Sequence, residues 1–383
     1  MATVTGSTIA VVSNRPGVTI FYRVGDVIQI YRKTVDGQSS YDQEQSLSTH
    51  FLKGSDSNIT ATKRSAGADD RQARVFYQGS DRFLRELTIA SDGNAKDRAI
   101  STVKDARAKT SLAAIVQKDL DRPSSQSAKM PDVLFYQGID NQIYFVKSDR
   151  PSCWSDPMPI DNVAGQEGTT IQAFLGSALS APKSDYMSIV YVCFLRPGSN
   201  YIYRYSATVD DMCNSDSPFS AVTPDLYFDG KSSKGRFGAI CVPRIYCRCK
   251  KDFRFYSQFA DTGGVISEGI GQDGIAAVQS LNEGKFEQEA RDYAQMAAVY
   301  QRTDKGHYAI TVVFEDAPRS ICSVTLEGSW NPAVIVGDES AMQFREGKWE
   351  VIHVTDQEQE QLRSHGYTEE WNGPVRLCAE DNI

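Results

Sequence analysis

Apolar and polar residues alternate along Ala73-Arg74-Val75-Phe76-Tyr77-Gln78-Gly79. They alternate again along Phe83-Leu84-Arg85-Glu86-Leu87-Thr88-Ile89, after a short Gly-Ser-Asp-Arg turn. A period of two puts successive side chains on opposite faces of an extended chain, so the stretch predicts a β-hairpin. The pattern recurs. Thr19 to Arg23 is followed by Val27 to Tyr31, Val133 to Gly138 by Gln142 to Val146, Ile189 to Val192 by Tyr201 to Tyr205, and Ala298 to Gln301 by His307 to Ile310. Anchored on Phe21, Phe76, Phe135, Tyr191 and Val299, the first steps are 55, 59 and 56 residues. The last is 108, with room for one further copy around Ile245 to Tyr256. The chain is therefore a repeat protein of six hairpin-bearing units.

A second repeat precedes each hairpin: Ile9 to Val12, Ile59 to Thr62, Leu112 to Ile115, Ile171 to Phe174, Phe237 to Ile240 and Ile275 to Val278. These runs carry small and β-branched residues on both faces, as a strand crowded near an axis requires. The hairpins carry Phe and Tyr, which suit the wider space between radially packed sheets. Inner strand, aromatic hairpin and outer strand make a β-propeller blade. The expectation is an all-β propeller of six blades, with seven left open by the irregular spacing after residue 236. It is one domain over 1–383, in which 338–383 closes the last blade and holds a strand at Lys348 to Val354, a helical segment at Asp356 to Arg363 and a closing strand at Pro374 to Cys378. The blades run 7–50, 51–105, to about 161, to about 234, 235–270 and 274–337.

Composition agrees: 383 residues with 18 Tyr and 17 Phe against 4 Trp is all-β usage. A net charge of −8 argues against nucleic acid as the main partner. No apolar run reaches membrane-spanning length, and Met1 to Thr8 does not read as a signal peptide. Eight cysteines include no Cys-x-x-Cys pair, and a zinc site is not expected. They are either buried free thiols or an even-numbered disulfide set, for which Cys153 with Cys213 and Cys322 with Cys378 are the candidate pairs. The sequon Asn58-Ile59-Thr60 marks Asn58 for an N-linked glycan. Cysteines and sequon together point to the secretory pathway, with a leader already removed. A homo-oligomer is left open.

No nucleophile elbow, phosphate loop, metal motif or dinucleotide fingerprint occurs, the four histidines are scattered, and no cofactor is expected. The specific signal is Arg74 with Glu86 twelve residues on. In this pairing and in its blade pattern the chain resembles the fungal fucose-specific lectins, six-bladed propellers that present Arg and Glu from one hairpin. Guanidinium and carboxylate grip hydroxyls while an aromatic ring such as Tyr77 stacks on the sugar. An ordinary cross-strand ion pair is the competing account. The same places in other blades hold Thr19 with Tyr31 and Val133 with Phe145. The grip survives once, and a multivalent lectin needs several sites.

A propeller with dismantled sugar sites points to reuse of the scaffold. In length, secretory features and degenerate repeats the chain is similar to the cofactor-free hetero-Diels–Alderases of fungal tropolone-sesquiterpene biosynthesis. That resemblance implies dehydration of a hydroxymethyl-tropolone to a quinone methide, which adds across an alkene of a humulene-type terpene. Polar strand ends then become candidate donors for the tropolone oxygens: Arg15, Lys63, Arg64, Gln117, Lys118 and Arg244. Tyr22, Tyr77, Tyr136 and Trp349 are candidate walls for the terpene. Carbohydrate binding is the alternative function.

Overall fold

The chain is described by a computed structural model. It describes residues 8–13, 18–24, 27–33, 42–48, 58–63, 72–115 apart from 91 and 109, 131–178 apart from 151–152, 187–221 apart from 199–200, 226–227 and 232–241. Beyond these it describes the strands named below.

The first blade is β1 (Thr8–Ser13), β2 (Val18–Val24), β3 (Val27–Lys33) and β4 (Asp42–Ser48). The second is β5 (Thr60–Lys63), β6 (Ala73–Gln78), β7 (Leu84–Ile89) and β8 (Ala95–Ala99). In the third, β9 (Leu112–Ile115), β10 (Asp132–Gln137) and β11 (Gln142–Arg150) are edged by an interrupted outer strand, β12 (Cys153–Trp154) and β13 (Met158–Ala164). The fourth has β14 (Ile171–Ala178), β15 (Met187–Leu195), β16 (Tyr201–Thr208), β17 (Ser220–Ala221) and β18 (Leu226–Tyr227). The fifth is β19 (Ser232–Cys241), β20 (Phe253–Phe259), β21 (Val265–Gly271) and β22 (Gly274–Ser280). The sixth joins β23 (Met296–Arg302), β24 (Tyr308–Ala317) and β25 (Ser320–Trp330) to β29 (Tyr367–Cys378). Between β25 and β29 the chain forms a separate three-stranded sheet, β26 (Ala333–Gly337), β27 (Ser340–Arg345) and β28 (Lys348–His353).

Six strands, β1, β5, β9, β14, β19 and β23, neighbour one another in a closed cycle. This is a six-bladed β-propeller, and the three-stranded sheet contributes no strand to the ring. Each ring strand carries an alanine, Ala10, Ala61, Ala113, Ala173, Ala239 and Ala298, as crowding at the axis demands. The large side chains fill the layers between blades. Phe21, Ile30, Val75 and Leu87 close blades one and two; Phe76, Leu84, Leu134 and Val146 close two and three; Phe135, Phe145, Val192 and Phe194 close three and four.

Why the hairpins repeat as Phe-Tyr-Gln-Gly follows from two contacts. Gln137 Nε2 donates to the carbonyls of Asn141 at 3.2 Å and Gln166 at 2.9 Å, and its Oε1 accepts from Gly168 N at 3.0 Å. One amide thus ties its own turn to the start of the next blade, and Gln78 does the same through Arg82 O and Ala106 O. The glycines that follow leave room for the second strand: a Cβ on Gly79 would fall 2.5 Å from Arg85 Cδ, and one on Gly138 would fall 2.6 Å from Tyr144 Cε2. After β16 a short helix, α1 (Val209–Asn214), is capped by Thr208, whose hydroxyl accepts from Asp211 N at 3.0 Å. Lys147 Nζ donates to the carbonyls of Met212 and Ser215 at its C-terminal end.

Three expectations change. Ile275 to Val278 belongs to β22, the outer strand of blade five, and Ala298 to Gln301 is the ring strand of blade six. The expected sixth blade was therefore framed one strand early, because a short Ile-Ala-Ala-Val run reads alike at either edge. Cys153 and Cys213 are not joined by a disulfide, and Cys153 and Cys193 are free thiols. Cys322 and Cys378 lie on the paired strands β25 and β29, opposite Arg376 and Ser320, with their side chains outside the described residues. Asn58 is only 8 % exposed and starts the run into a ring strand, so a glycan there does not fit the folded chain. The helical segment expected at 356–363 lies outside the described residues.

The thiols give a direct check. Burial pushes the Cys193 thiol up to about 12, and a thiol rather than a thiolate is a poor nucleophile. Native protein treated with iodoacetamide should be alkylated at exposed Cys153 while Cys193 stays protected until unfolding. Peptide mass mapping would show the order. Unreduced, denatured protein should yield Cys153 and Cys193 as free thiols, and a Cys153–Cys213 cross-link would contradict the structure.

Candidate functional site between blades two and three

On β6 even-numbered side chains face blade three, and on β7 Glu86 lies directly opposite Phe76. Arg74, two residues before Phe76, reaches diagonally across the hairpin, and its Nε donates to Glu86 Oε1 at 2.7 Å. Blade three completes the arrangement. Trp154 on β12 donates its indole Nε1–H to Glu86 Oε2 at 3.2 Å, and Asp132 at the start of β10 accepts from Arg74 Nη1. The guanidinium lies 5.2 Å from the Phe76 ring centroid and 5.6 Å from that of Trp154, and the two rings meet edge to face at 5.7 Å. Arg74 and Glu86 are 4 % and 2 % exposed.

This is a charge network across two blades rather than an isolated cross-strand pair. It is incompletely satisfied. Arg74 Nη2 is buried with no hydrogen-bond partner among the described residues, and so is Thr62 Oγ1. Thr62 is the residue that pairs with Arg74 from β5, so both groups project from one face of the sheet. A guanidinium fork flanked by a carboxylate, an indole N–H and a hydroxyl can hold the vicinal hydroxyls of a small polar ligand.

The other expected residues do not join this network. Tyr77 points to the opposite face, into the layer with blade one, where its hydroxyl donates to Asp97 Oδ2 at 2.6 Å. Burial and that carboxylate push its phenol well above the usual range. Tyr22 packs toward blade six beside Val313, and Tyr136 stacks on Tyr144 at 5.7 Å. Lys63 ends β5 opposite Ala73, with its side chain outside the described residues. Arg15, Arg64, Gln117, Lys118 and Arg244 lie outside the described residues altogether, and so does the side chain of Trp349. Asp132, Trp154 and Thr62 were missed, since each is brought in from another strand or blade.

Among the described residues, the corresponding positions of blades one, three and four lack the Arg–Glu pair. In blade one the hairpin turn is shorter, so Ile30 rather than Tyr31 stands opposite Phe21, and Tyr31 faces the other way. Blade three has Val133 and Phe145 sealed in the layer with blade four. In blade four Leu195 N is held by Thr169 Oγ1 just as Gln137 N is held by Thr110 Oγ1. That match aligns Cys193 with Phe135, and places buried Arg204 where blade two has Glu86.

The closed ring of six blades makes the chain a β-propeller, with an Arg–Glu–Trp network between blades two and three. Among solved structures the chain is similar to AofleA from Arthrobotrys oligospora, with 12% identity, a TM-score of 0.57, and 98% of this chain and 91% of that one covered. It is likewise similar to the Aleuria aurantia lectin, whose structure is described as a six-bladed β-propeller with a novel fucose recognition mode: 13% identity, TM-score 0.54, 91% and 95% covered. The BP39L lectin from Burkholderia pseudomallei matches at 12% identity and TM-score 0.52, with 92% and 99% covered. No protein-family model matches the chain, and no curated protein matches it. At such identities the likeness establishes the fold. No helix among the described residues is long and apolar enough to cross a membrane.

Proposed function

We propose that the protein is a carbohydrate-binding propeller with one retained site, in which Arg74, Glu86 and Trp154 take a sugar of the fucose class. The observation that carries this reading is the convergence of a guanidinium, a carboxylate and an indole N–H from adjacent blades, with Arg74 Nη2 still uncommitted. Structural neighbours described as fucose-recognising lectins support it. Calorimetric titration with methyl α-L-fucoside should give roughly one site per chain and no avidity gain on a multivalent surface. Trp154→Phe removes the indole donor that orients Glu86 and keeps most of the ring, and should weaken binding by up to roughly tenfold through a less well-held carboxylate. Absence of heat at millimolar sugar would overturn the assignment.

A second reading is favoured by the loss of the grip at Thr19/Ile30, Val133/Phe145 and Tyr191/Arg204. Loss of the pair at these three places suits an enzyme that needs one pocket rather than a ring of sites, here a cofactor-independent hetero-Diels–Alderase joining a tropolone quinone methide to a humulene-type sesquiterpene. Arg15, Lys63, Arg64, Lys118 and Arg244 would polarise the tropolone oxygens, with Gln117 beside them. The pocket would hold both partners in reacting geometry. Incubation with a hydroxymethyl-tropolone and humulene, read by mass spectrometry, decides it: adduct formation without sugar binding replaces the lectin assignment.

A further inference from the structure

Asp132 stands apart from the rest of the site. It comes from the neighbouring blade and holds Arg74 Nη1, yet its side chain is 24% exposed where those of Arg74 and Glu86 are 5% and 3%. It is the most exposed of the three charged groups. Arg74 Nη2, the nitrogen Asp132 does not hold, and Thr62 Oγ1 remain buried without partners among the described residues. A buried donor without an acceptor is costly, and a site that tolerates two such groups gains by filling them.

We propose that this cleft is a latched ligand site: Asp132 is an internal competitor for Arg74, and a neutral hydroxyl-bearing ligand displaces it, placing one oxygen against Arg74 Nη2 and the Thr62 hydroxyl. The inference rests on the carbohydrate reading above and names the ligand class within it. Two carboxylates surround one guanidinium, so a carboxylate, a phosphate or a deprotonated tropolone meets net repulsion. A polyol meets none. Its hydroxyls donate to carboxylate and accept from guanidinium at once, and Thr62 can serve in either role. Displacement then exchanges one charge-assisted contact for others and satisfies the two orphaned groups.

Asp132→Ala and Asp132→Asn test the latch with two readouts, the rate at which phenylglyoxal modifies Arg74 and the affinity for methyl α-L-fucoside. Arg74 modification, slow in the parent, should rise at least roughly tenfold in Asp132→Ala, and sugar affinity should rise by a similar factor. Asp132→Asn keeps the shape and should fall between, which preserves the test if the alanine variant folds poorly. Thr62→Val should weaken sugar binding several-fold without opening Arg74. Unchanged Arg74 reactivity in either folded variant overturns the latch. So does an unchanged or weaker sugar affinity where the parent binds. If Arg74 opens while neither parent nor variant binds fucose, the latch stands and the fucose assignment fails.

Discussion

Glu86→Ala is expected to lower stability by about 3–5 kcal/mol, read as a shift in the denaturation midpoint. The carboxylate accepts from Arg74 Nε and Trp154 Nε1 and is 2 % exposed. Its removal leaves Arg74 Nε and the Trp154 indole N–H without acceptors, with the part-exposed Asp132 the one carboxylate still on the guanidinium, and that cost exceeds the net worth of the pair. Because Trp154 belongs to blade three, the loss also loosens one interblade layer. Glu86→Gln keeps an acceptor and the shape, and should cost distinctly less. Asp81→Ala is the internal control: its pair with Arg85 leaves the Asp81 side chain 40% exposed, so its loss should stay within about 1 kcal/mol. Equal effects for Glu86→Ala and Asp81→Ala would mean that the network is held no more firmly than a surface ion pair.

The same contrast explains what the sequence made legible. Hairpins β2/β3, β6/β7, β10/β11 and β15/β16 stand where alternation puts them, because a period of two is a local property of the strand. Ring strands were less distinct. Small residues crowd the axis, but Gly-Ile-Ala-Ala-Val in β22 is equally good for an outer strand, and with no spacing to arbitrate the sixth blade slid by one strand. Within the site, Arg74 and Glu86 were visible because one hairpin contains both. Trp154 and Asp132 were not, since 68 and 58 residues separate them from Glu86 and Arg74 and only the closing of blade against blade brings them in. Two misreadings were avoidable. Alternation alone puts Tyr77 on the face opposite Arg74, and a fixed twelve-residue spacing cannot transfer to blade one, whose turn between Val24 and Val27 is tighter.

Phe145→Glu should be more damaging still, with a loss of at least about 4 kcal/mol, because it removes a fully buried ring and leaves an unpaired carboxylate in its place. Phe145 is 0 % exposed and meets Phe135 at 6.1 Å and Phe219 at 5.3 Å between ring centroids. The substitution puts Glu at the position that Glu86 holds in blade two, and Val133→Arg supplies its partner. If an Arg–Glu pair were enough to make a site, the double variant would recover the stability of the parent and gain a second sugar equivalent. The expected result is partial recovery, a favourable coupling of about 1–3 kcal/mol in the double-mutant cycle, and no second site. In blade two the pair is supported by an indole donor, a carboxylate from the next blade and a threonine on the ring strand. Among the described residues of the layer between blades three and four, Phe145 belongs instead to a buried apolar cluster with Ile115, Val190 and Phe219. Full recovery together with a second binding equivalent would show that the pair alone makes the grip, and that Asp132 and Trp154 are bystanders to it.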